Sequence, residues 1–307
     1  MSLAEDMAKE LQLPPRYIQR VAKTASHLYK EYQIPKRNGG TRTIHHPSKE
    51  LKALQRWLVR RCIDRLPVHS SAVAYRAGMS ILRNAEAHAL SRYLLRMDIR
   101  EFFPSLKESD IRQYVAGNAQ RFEGWTEDDV WLLCSLTCRH GRLAIGAPSS
   151  PMLSNVLCWK MDDLLSHRAT EKGVRYTRYA DDLFFSSTVP GVLGNLEHEV
   201  QASVEGLDLP SGLRINEEKT RHSSKRGRRR VTGVILASDG TLSLGRSTKR
   251  QVKSLVFKVD SLTTDERRRL AGLLGYCQMI EPDFMNRLIL KYGVHQVMKA
   301  QGGGQTG

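Results

Sequence analysis

The hydrophobic positions divide the chain into three stretches, and no linker of distinct composition separates them. In the first stretch, residues 1 to about 92, apolar residues recur at helical spacing, as in Leu51, Leu54, Trp57, Leu58 and Cys62. Residues 93 to about 240 alternate strand and helix signals, and the rest of the chain returns to a helical pattern. The final residues, 302–307, are rich in glycine and predict a frayed tail.

Two hairpins are predicted from turn residues between short extended segments. Asn38 and Gly39 form a tight-turn pair between two basic segments, which predicts a β-ribbon near residues 35–47. The sequence Ser238-Asp-Gly240 predicts a second hairpin between strands at 231–236 and 241–244.

The middle stretch contains the clearest strand and helix boundaries. Residues 93–99 predict a strand, and residues 174–179 and 183–187 predict two β-rich arms around a tight centre. Ser150 is a helix N-cap followed by proline at the first helical position. Apolar residues then continue at helical spacing, which predicts one buried helix to about residue 168.

The charge of the chain narrows the classes of partner. Forty-eight Lys and Arg against 32 Asp and Glu give a formal net charge of +16. A surplus of this size repels itself in the compact state unless a polyanion is the usual partner. A membrane-binding protein would carry the surplus on one amphipathic helix, whereas here it is spread along the chain, so nucleic acid is the favoured partner.

Composition also excludes several classes of protein. An apolar fraction of 40% with 26% charged residues is ordinary for a globular chain, and no apolar run is long enough to span a membrane. The N-terminal residues show no secretory signal, and five cysteines without a CxxC pair are typical of reduced thiols in a cytosolic protein. A cytoplasmic protein is therefore expected.

The sharpest chemical motif is Tyr179-Ala-Asp-Asp182, which falls between the two β-rich arms. Two adjacent carboxylates at a hairpin tip are unfavourable unless a cation neutralises them, and oxygen-rich sites suit Mg²⁺. Asp98 follows an apolar strand and supplies a third carboxylate. Three carboxylates predict a two-metal site of the kind that catalyses in-line phosphoryl displacement. A solvated acidic turn and a helix-capping aspartate are the alternatives.

Two further segments suggest nucleotide binding. The turn around Gly146 and Ala147 runs into a helix N-terminus, where backbone can approach a nucleotide or template closely. Arg42, with Lys36 and Arg37 nearby, lies in the basic ribbon and would suit a triphosphate. An ordinary loop and a solvated hairpin remain the alternatives for these two segments.

A dense basic segment lies before the strand that begins at Val231. It contains five cations in six residues, Lys225, Arg226, Arg228, Arg229 and Arg230. Because burying unpaired charges is costly, we expect all five to be outside the core and to contact RNA phosphates. A solvated loop is the alternative.

For two pairs of potential metal ligands, a structural role is favoured over metal binding. Cys134 and Cys138 share a helix face with apolar neighbours, so core packing is favoured over a metal motif. His45 and His46 are interpreted as a polar exit from the ribbon.

The order of these motifs resembles the palm of a reverse transcriptase. More narrowly, Arg42-Thr-Ile-His-His-Pro47, the NAxxH sequence at 84–88 and the VTG sequence at 231–233 resemble signatures of bacterial retron reverse transcriptases. The resemblance covers about residues 35–295. It implies an α+β right-hand polymerase with a ferredoxin-like palm sheet, fingers and a small helical thumb. Fingers are expected at 1–92 and 107–145, palm at 93–106 and 146–240, and thumb with tail at 241–307.

The resemblance also implies roles for individual residues. The expected ligands of two Mg²⁺ ions are Asp98, Asp181, Asp182 and the backbone carbonyl of Ile99. Lys219 is expected to act as the acid for the pyrophosphate leaving group, and Phe103 to exclude ribonucleotides as a sugar gate. Arg42, Gly146 and Ala147 are expected to bind the nucleotide. RNA binding is expected at Asn84 and His88, besides the basic segment, and the primer grip at Val231, Thr232 and Gly233.

Finally, the resemblance implies partners and a reaction. The expected partners are a cognate structured non-coding RNA, its DNA product, deoxynucleoside triphosphates and an effector protein of a phage-defence system, without a membrane. DNA synthesis would start from an RNA 2′-hydroxyl and give a branched product. Ile145 departs from the family, which usually has glutamine there. A group II intron-like or abortive-infection reverse transcriptase and a catalytically idle RNA-binding scaffold are the alternatives.

Overall fold

The computed structural model describes residues 2–35 and 39–302, which form a mixed α+β fold. The helices are Leu3–Leu11 (α1), Pro15–Thr24 (α2), Lys49–Arg61 (α3), Ile81–Glu86 (α4), Phe102–Ser105 (α5), Glu108–Gly117 (α6), Glu127–Thr137 (α7), Ser150–Leu157 (α8), Trp159–Glu171 (α9), Val192–Glu205 (α10), Arg246–Phe257 (α11), Thr264–Ile280 (α12), Pro282–Tyr292 (α13) and Val294–Ala300 (α14). The strands are Tyr29–Pro35 (β1), Thr41–Pro47 (β2), Tyr93–Asp98 (β3), Cys138–Arg139 (β4), Arg142–Leu143 (β5), Arg175–Tyr179 (β6), Asp182–Ser187 (β7), Arg221–Ser224 (β8), Arg229–Val231 (β9), Val234–Leu236 (β10) and Leu242–Ser243 (β11).

The predicted basic ribbon is confirmed. Strands β1 and β2 pair antiparallel, with Ile34 opposite Arg42. Lys36, Arg37 and Asn38 lie outside the described residues, so the predicted turn is described only at Gly39, whose φ of 86° favours glycine.

The buried helix predicted to run from Ser150 to about residue 168 is wrong in one respect, because the structure has two helices there. Helix α8 ends at Leu157, and Cys158 has ψ near 6°, so the helical hydrogen-bond ladder is interrupted before α9 begins. The apolar residues continue on both sides of the break, and neither glycine nor proline marks it. The hydrophobic period alone therefore could not locate this break.

The central sheet explains how distant motifs come together. Its four strands have the order β6-β7-β3-β8. The Tyr179-Ala-Asp-Asp182 turn joins β6 to β7, and β3 is the next strand in the sheet. Leu95 and Met97 of β3 are buried, as are Leu183 and Phe184 of β7. The apolar residues thus fix the strands in the core, and their polar ends meet at one edge.

The chain divides into two compact units. The first comprises Met1–Gly78, Leu95–Phe185 and Gly191–Arg221, and the second comprises Met79–Leu94, Ser186–Pro190 and His222–Gly307. This division follows the packing of the described residues. The assignment of segments to fingers, palm and thumb stays a prediction.

In the second unit, the strand predicted at 231–236 is two strands joined by a tight turn. Val231 pairs with Val234, and the two residues between them have positive φ, 46° at Thr232 and 93° at Gly233. Positive φ at both central residues is the geometry that suits a two-residue hairpin. The second predicted hairpin is confirmed by the pairing of β10 with β11.

The helical pattern of the C-terminal stretch is confirmed between Arg246 and Ala300. Helix α12 begins with a capping box in which Thr263 and Glu266 exchange side-chain and backbone hydrogen bonds. Residues 303–307, most of the predicted frayed tail, lie outside the described residues. Across the described ranges, no helix is both long and apolar enough to cross a membrane.

Candidate active site

The structure brings Asp98 and the Asp181–Asp182 pair to the same edge of the central sheet. Asp98 is the last residue of β3, and Asp182 is the first residue of β7. The backbone N–H of Ile99 donates to the carbonyl of Asp181 at 2.9 Å, which joins the end of β3 to the turn. Ala180 has φ of 57°, a left-handed conformation that allows the chain to reverse within this short turn.

Two of the three carboxylates contact cationic side chains. Lys219 donates to both oxygens of Asp98, at 2.8 and 3.0 Å. Arg96, two residues before Asp98, donates through Nε and Nη2 to one oxygen of Asp182 at 3.0 and 2.8 Å. These two cations are held at the site by the fold, and Arg96 was not predicted from the sequence.

The site still carries unfavourable negative charge. Burial, followed by the charge of Asp98, raises the pKa of Asp181. Burial also raises the pKa of Asp182 to about 6, although the guanidinium of Arg96 acts in the opposite direction. Crowded, partly buried carboxylates of this kind favour an additional cation.

The donor chemistry of the site fits a divalent metal ion. Asp98, Asp181 and Asp182 offer carboxylate oxygens, the ligands that Mg²⁺ prefers. Among the residues that the structure describes, no group of three His, Cys, Asp or Glu side chains is arranged to hold a metal. Asp98 and Asp182 face Lys219 and Arg96 instead. A metal ion would therefore have to compete with these two cations for the carboxylates.

Lys219 reaches Asp98 because two segments pair across the site. Ile99 and Ile215 form an antiparallel bridge, and the N–H of Asn216 donates to the carbonyl of Asp98 at 2.7 Å. A 3-10 turn over Glu217–Lys219 then places the ammonium beside the Asp98 carboxylate. The structure therefore brings together the predicted acid and one predicted metal ligand.

A buried ion pair supports the turn from inside. Arg178 and Asp162 have fully buried side chains, and Arg178 donates to the two Asp162 oxygens at 2.8 and 2.6 Å. Tyr176 donates its hydroxyl to Asp162 at 2.8 Å, and Arg178 also donates to the carbonyl of Ala180 at 3.3 Å. The sequence analysis did not predict this network. An aspartate among the buried positions of a helix was the available signal.

Phe102 and Phe103 have different environments. Phe102 is 4% exposed and belongs to the core, whereas Phe103 is half-buried. The ring of Phe103 lies 6.4 Å from that of Tyr75, centroid to centroid, with the planes tilted by 45°. Burial raises the pKa of Tyr75 to about 12. The charges of Asp181 and Arg42 also act on its hydroxyl, so both residues lie nearby. Tyr75 was not predicted as a site residue.

The predicted nucleotide-binding turn lies against the β-ribbon. The N–H of His45 donates to the carbonyl of Ile145 at 2.8 Å. Gly146 has φ of 109°, and a Cβ there would lie 2.9 Å from the carbonyl oxygen of His45, so only glycine fits. Ala147 is buried, and Arg42 is exposed on β2. The nucleotide contacts of Arg42, Gly146 and Ala147 stay predictions.

The prediction that Asn84 and His88 contact RNA is wrong for this structure. Both side chains are 0% exposed, and His88 Nδ1 lies 2.7 Å from the hydroxyl of Ser186. A polar side chain that is fully enclosed has its partners inside the protein. The NAxxH segment therefore ties α4 to the end of β7 within the second unit.

The basic segment needs one correction, at Arg229. This side chain is 0% exposed and donates to the carbonyls of Ser91, Ala89 (3.4 Å), Leu236 (3.4 Å) and Ala237 (2.7 Å). Burial lowers its pKa. The expectation that all five cations are outside the core is therefore wrong for Arg229, because carbonyl oxygens satisfy its guanidinium there.

The other four cations of the segment remain at the surface. Lys225 is half-buried, and Arg226, Arg228 and Arg230 are exposed. A cavity of about 720 Å³ in the same unit is lined by four basic residues, Arg228, Arg246, Lys249 and Arg250, among others. The surface around this segment is thus strongly cationic. The RNA contacts of the four residues stay a prediction.

The remaining candidates have ordinary environments. Cys134 and Cys138 are buried, and Cys138 begins β4 instead of lying within the helix. All five cysteines are free. His45 and His46 are adjacent on β2, so their side chains point to opposite faces and do not form one ligand pair. Val231, Thr232 and Gly233 form the β9–β10 turn, and their role as primer grip stays a prediction.

Comparison with known protein families identifies the family of the chain. The family described as reverse transcriptase (RNA-dependent DNA polymerase) matches residues 34–258, most of the chain. Telomerase from Candida albicans in complex with the TWJ fragment of telomeric RNA has a similar fold, with a TM-score of 0.50 and 10% identity. That match covers 89% of this chain and 61% of the telomerase chain. The chain is a reverse transcriptase, an RNA-dependent DNA polymerase.

Sequence relatives specify the branch of the family. Retron Ec83 reverse transcriptase of Escherichia coli is 36% identical over 279 residues, which are 89% of this chain and 89% of the relative. Retron Ec86 reverse transcriptase of the same species is 29% identical over 98% of this chain and 94% of the relative. The chain belongs to the retron reverse transcriptases, as its motifs predicted.

Proposed function

We propose that this chain copies part of a structured non-coding RNA into single-stranded DNA, starting from a 2′-hydroxyl of that RNA. The observation that carries the proposal is the meeting of Asp98, Asp181 and Asp182 with Lys219 at one sheet edge, in a chain 36% identical to a retron reverse transcriptase. The product would be a branched RNA–DNA molecule. Partners would be the cognate RNA, deoxynucleoside triphosphates and an effector protein for phage defence in the cytoplasm.

The proposed architecture is a right-hand polymerase. The sheet that carries the carboxylates would be a ferredoxin-like palm, the segments at 1–92 and 107–145 the fingers, and the helices after residue 241 the thumb. The α+β fold and the likeness to a telomerase support this assignment.

In the proposed reaction, the RNA 2′-hydroxyl loses its proton to solvent and its oxygen attacks the α-phosphorus of the nucleotide, while the bond from that phosphorus to the pyrophosphate breaks. Reverse transcriptases typically use divalent ions, and bound Mg²⁺ would activate the hydroxyl and neutralise charge on the phosphates. Asp98, Asp181, Asp182 and the carbonyl of Ile99 would hold two such ions. Lys219 would give a proton to the departing pyrophosphate.

Other residues would bind and select the nucleotide. Arg42 is exposed on β2 and would contact the triphosphate, and the backbone at Gly146 and Ala147 would approach the sugar and base. Phe103 would exclude a ribose 2′-hydroxyl by contact. Ile145 cannot donate a side-chain hydrogen bond, so we expect weaker nucleotide affinity than in relatives with glutamine there.

Asparagine substitution tests the carboxylate assignment. Asp98→Asn, Asp181→Asn and Asp182→Asn should each abolish metal-dependent primer extension, because each removes one negative charge from the ion site. RNA affinity should stay near the wild-type value, since distant Lys and Arg hold the RNA. Asp128→Asn is the matched control, because Asp128 belongs to another Asp-Asp pair and is exposed on α7. Synthesis within tenfold of wild type for any of the three would show that the assignment is wrong.

A second experiment tests the branched start. RNA that co-purifies with the protein is sequenced and resynthesised with a single 2′-deoxynucleotide at each candidate position in turn. The substitution at one of these positions should abolish DNA synthesis and the covalent RNA–DNA band on a denaturing gel. Synthesis from 3′-hydroxyl primers that is insensitive to every such substitution would favour the group II intron-like or abortive-infection alternative. No synthesis with any primer or metal would favour the idle scaffold.

A further inference from the structure

Tyr75 lies near the Tyr179–Asp182 turn, called the catalytic turn below, and is not part of the core. Its side chain is 42% exposed, although large apolar side chains usually gain stability from burial. The ring packs against Phe103, with 6.4 Å between centroids, and its surroundings include Asp181 and Arg42. Tyr75 therefore lies on the same side of the first unit as the proposed nucleotide contacts.

The backbone of Tyr75 is strained. Its φ is 61°, in the left-handed region that bulky residues avoid. A strained conformation persists only when the surrounding structure holds it, and such residues concentrate at functional sites. Asparagine or glycine would adopt this conformation at lower cost.

The segment that holds Tyr75 is attached to two elements of the site. Val73 donates its N–H to the carbonyl of Arg178 at 2.8 Å, and Arg178 donates its own to Ser71 at 2.7 Å. The side-chain amide of Asn155, on α8, donates to the carbonyl of Ala74 at 2.8 Å. Arg178 immediately precedes the catalytic turn, so the fold fixes Tyr75 relative to Asp181 and Asp182.

We propose that Tyr75 is a positioning residue for Phe103 and thereby determines the sugar selectivity of this polymerase. This inference rests on the proposed role of Phe103 as the gate. Phe103 is only half-buried, and its ring lies between that of Phe102, at 5.3 Å between centroids, and that of Tyr75, at 6.4 Å. The Tyr75 ring packs against Phe103 and stops it from turning away from the sugar. Without this support, Phe103 moves and the space for a 2′-hydroxyl opens.

The test compares variants by single-nucleotide incorporation of a ribonucleotide and its matching deoxynucleotide. Tyr75→Asn and Tyr75→Gly remove the ring but tolerate the left-handed backbone, so neither adds strain. We expect each variant to raise the ratio of kcat/KM for the ribonucleotide to kcat/KM for the deoxynucleotide by about tenfold. This factor is at the lower end of the discrimination that steric contact in an apolar pocket provides. Tyr75→Phe keeps the ring and should stay within about twofold of wild type. Tyr17→Asn, on α2, is the matched control and should leave the ratio unchanged.

A double substitution separates positioning from independent action. Because Tyr75 acts through Phe103, the Tyr75→Asn/Phe103→Ala variant should show the same ratio as Phe103→Ala alone. Additive effects would overturn the proposal. A raised ratio in Phe103→Ala with an unchanged ratio in both ring-free Tyr75 variants would overturn this inference alone. If Phe103→Ala leaves the ratio unchanged, Phe103 is not the sugar gate, and this inference fails together with that proposed role. Loss of rate in the ring-free variants without a change in ratio would assign Tyr75 a merely structural role.

Discussion

The ammonium group of Lys219 lies 2.8 Å from one carboxylate oxygen of Asp98 and 3.0 Å from the other. The Lys219 side chain is 56% exposed, whereas that of Asp98 is 4% exposed. The same carboxylate is proposed to hold a metal ion, so the two cations compete for it. In the absence of a metal, Lys219 neutralises Asp98. A metal ion bound by Asp98 would displace the ammonium, which would then be free to act as the proposed acid for the leaving group.

We predict that Lys219→Met strengthens metal binding while it slows nucleotide incorporation. Removing the competing cation should raise the affinity for Mn²⁺ by about tenfold, or about 1.4 kcal/mol, a modest share of the interaction expected at this separation. The measurement is a titration that follows the electron paramagnetic resonance signal of free Mn²⁺. Lys172→Met is the control, because Lys172 pairs with Glu199 at 3.0 Å instead. Equal Mn²⁺ affinity in both variants would contradict the competition.

The Asp162–Arg178 pair gives a prediction that separates stability from activity. Asp162→Asn leaves the guanidinium of Arg178 buried without its counter-charge, so the free energy of unfolding should fall by about 3–5 kcal/mol. Asp162→Leu with Arg178→Met should recover much of this stability, since apolar pairs often replace buried ion pairs at little cost. Urea unfolding measures both.

Activity should not recover in the double variant. The hydrogen bond from Arg178 to the carbonyl of Ala180 is lost there, and with it one support of the catalytic turn. Arg61→Met is the control for the stability measurement. Arg61 pairs with Glu10 at the surface, so this substitution should lower the free energy of unfolding by less than about 1 kcal/mol. Full primer-extension activity in the stable double variant would refute a role of Arg178 in shaping the turn.

Local patterns predicted much of the site, and non-local packing determined the rest. The arms around the Tyr179–Asp182 turn and the pairing near Arg42 depend on residues close in sequence, and both are present in the structure. The ion pair of Asp162 with Arg178 joins a helix to a strand, and neither residue alone indicates its partner. Motif order still identified the family, because it depends on residue types instead of contacts.

Burial was the feature that the sequence predicted least well. Arg229 lies among exposed cations in the sequence, yet its side chain is enclosed by four backbone carbonyls contributed by two separate segments. Asn84 and His88 are also enclosed, although polar residues in a short signature suggested a binding surface. Charge alone does not show which polar side chains find partners in the interior.

We predict that the cysteines react slowly with thiol reagents in the folded protein. Burial raises the pKa of Cys62 to about 11, of Cys158 to about 12 and of Cys277 to about 11. The thiolate is the reactive form, so the folded protein should react with Ellman's reagent far more slowly at pH 8 than the urea-unfolded chain. Because the pKa values are raised, the rate should still increase between pH 8 and pH 10. Rapid reaction of all the thiols in the folded state at pH 8 would contradict the buried environment.

The last prediction concerns the four surface cations Lys225, Arg226, Arg228 and Arg230. The N–H of Gly227 donates to the carbonyl of Ser224 at 2.9 Å, so a turn presents the segment between β8 and β9. Each phosphate contact releases counterions, and RNA affinity then falls with salt in proportion to the number of contacts. Changing all four residues to Gln should make the log–log slope shallower by about 3 and should weaken binding most at low salt.

Arg229 provides the matched control within the same segment, because it has the same charge but is enclosed. Arg229→Gln leaves carbonyls of Ser91 and Ala237 without their donor, so the melting temperature should fall while the salt slope stays at the wild-type value. RNA affinity is measured across a salt series for wild type and both variants, and activity is measured at saturating RNA. Activity of the fourfold variant should suffer less than its affinity, since the carboxylate site is untouched. Parallel lines for wild type and the fourfold variant would mean that these residues do not contact phosphate, and the segment would then be a solvated turn.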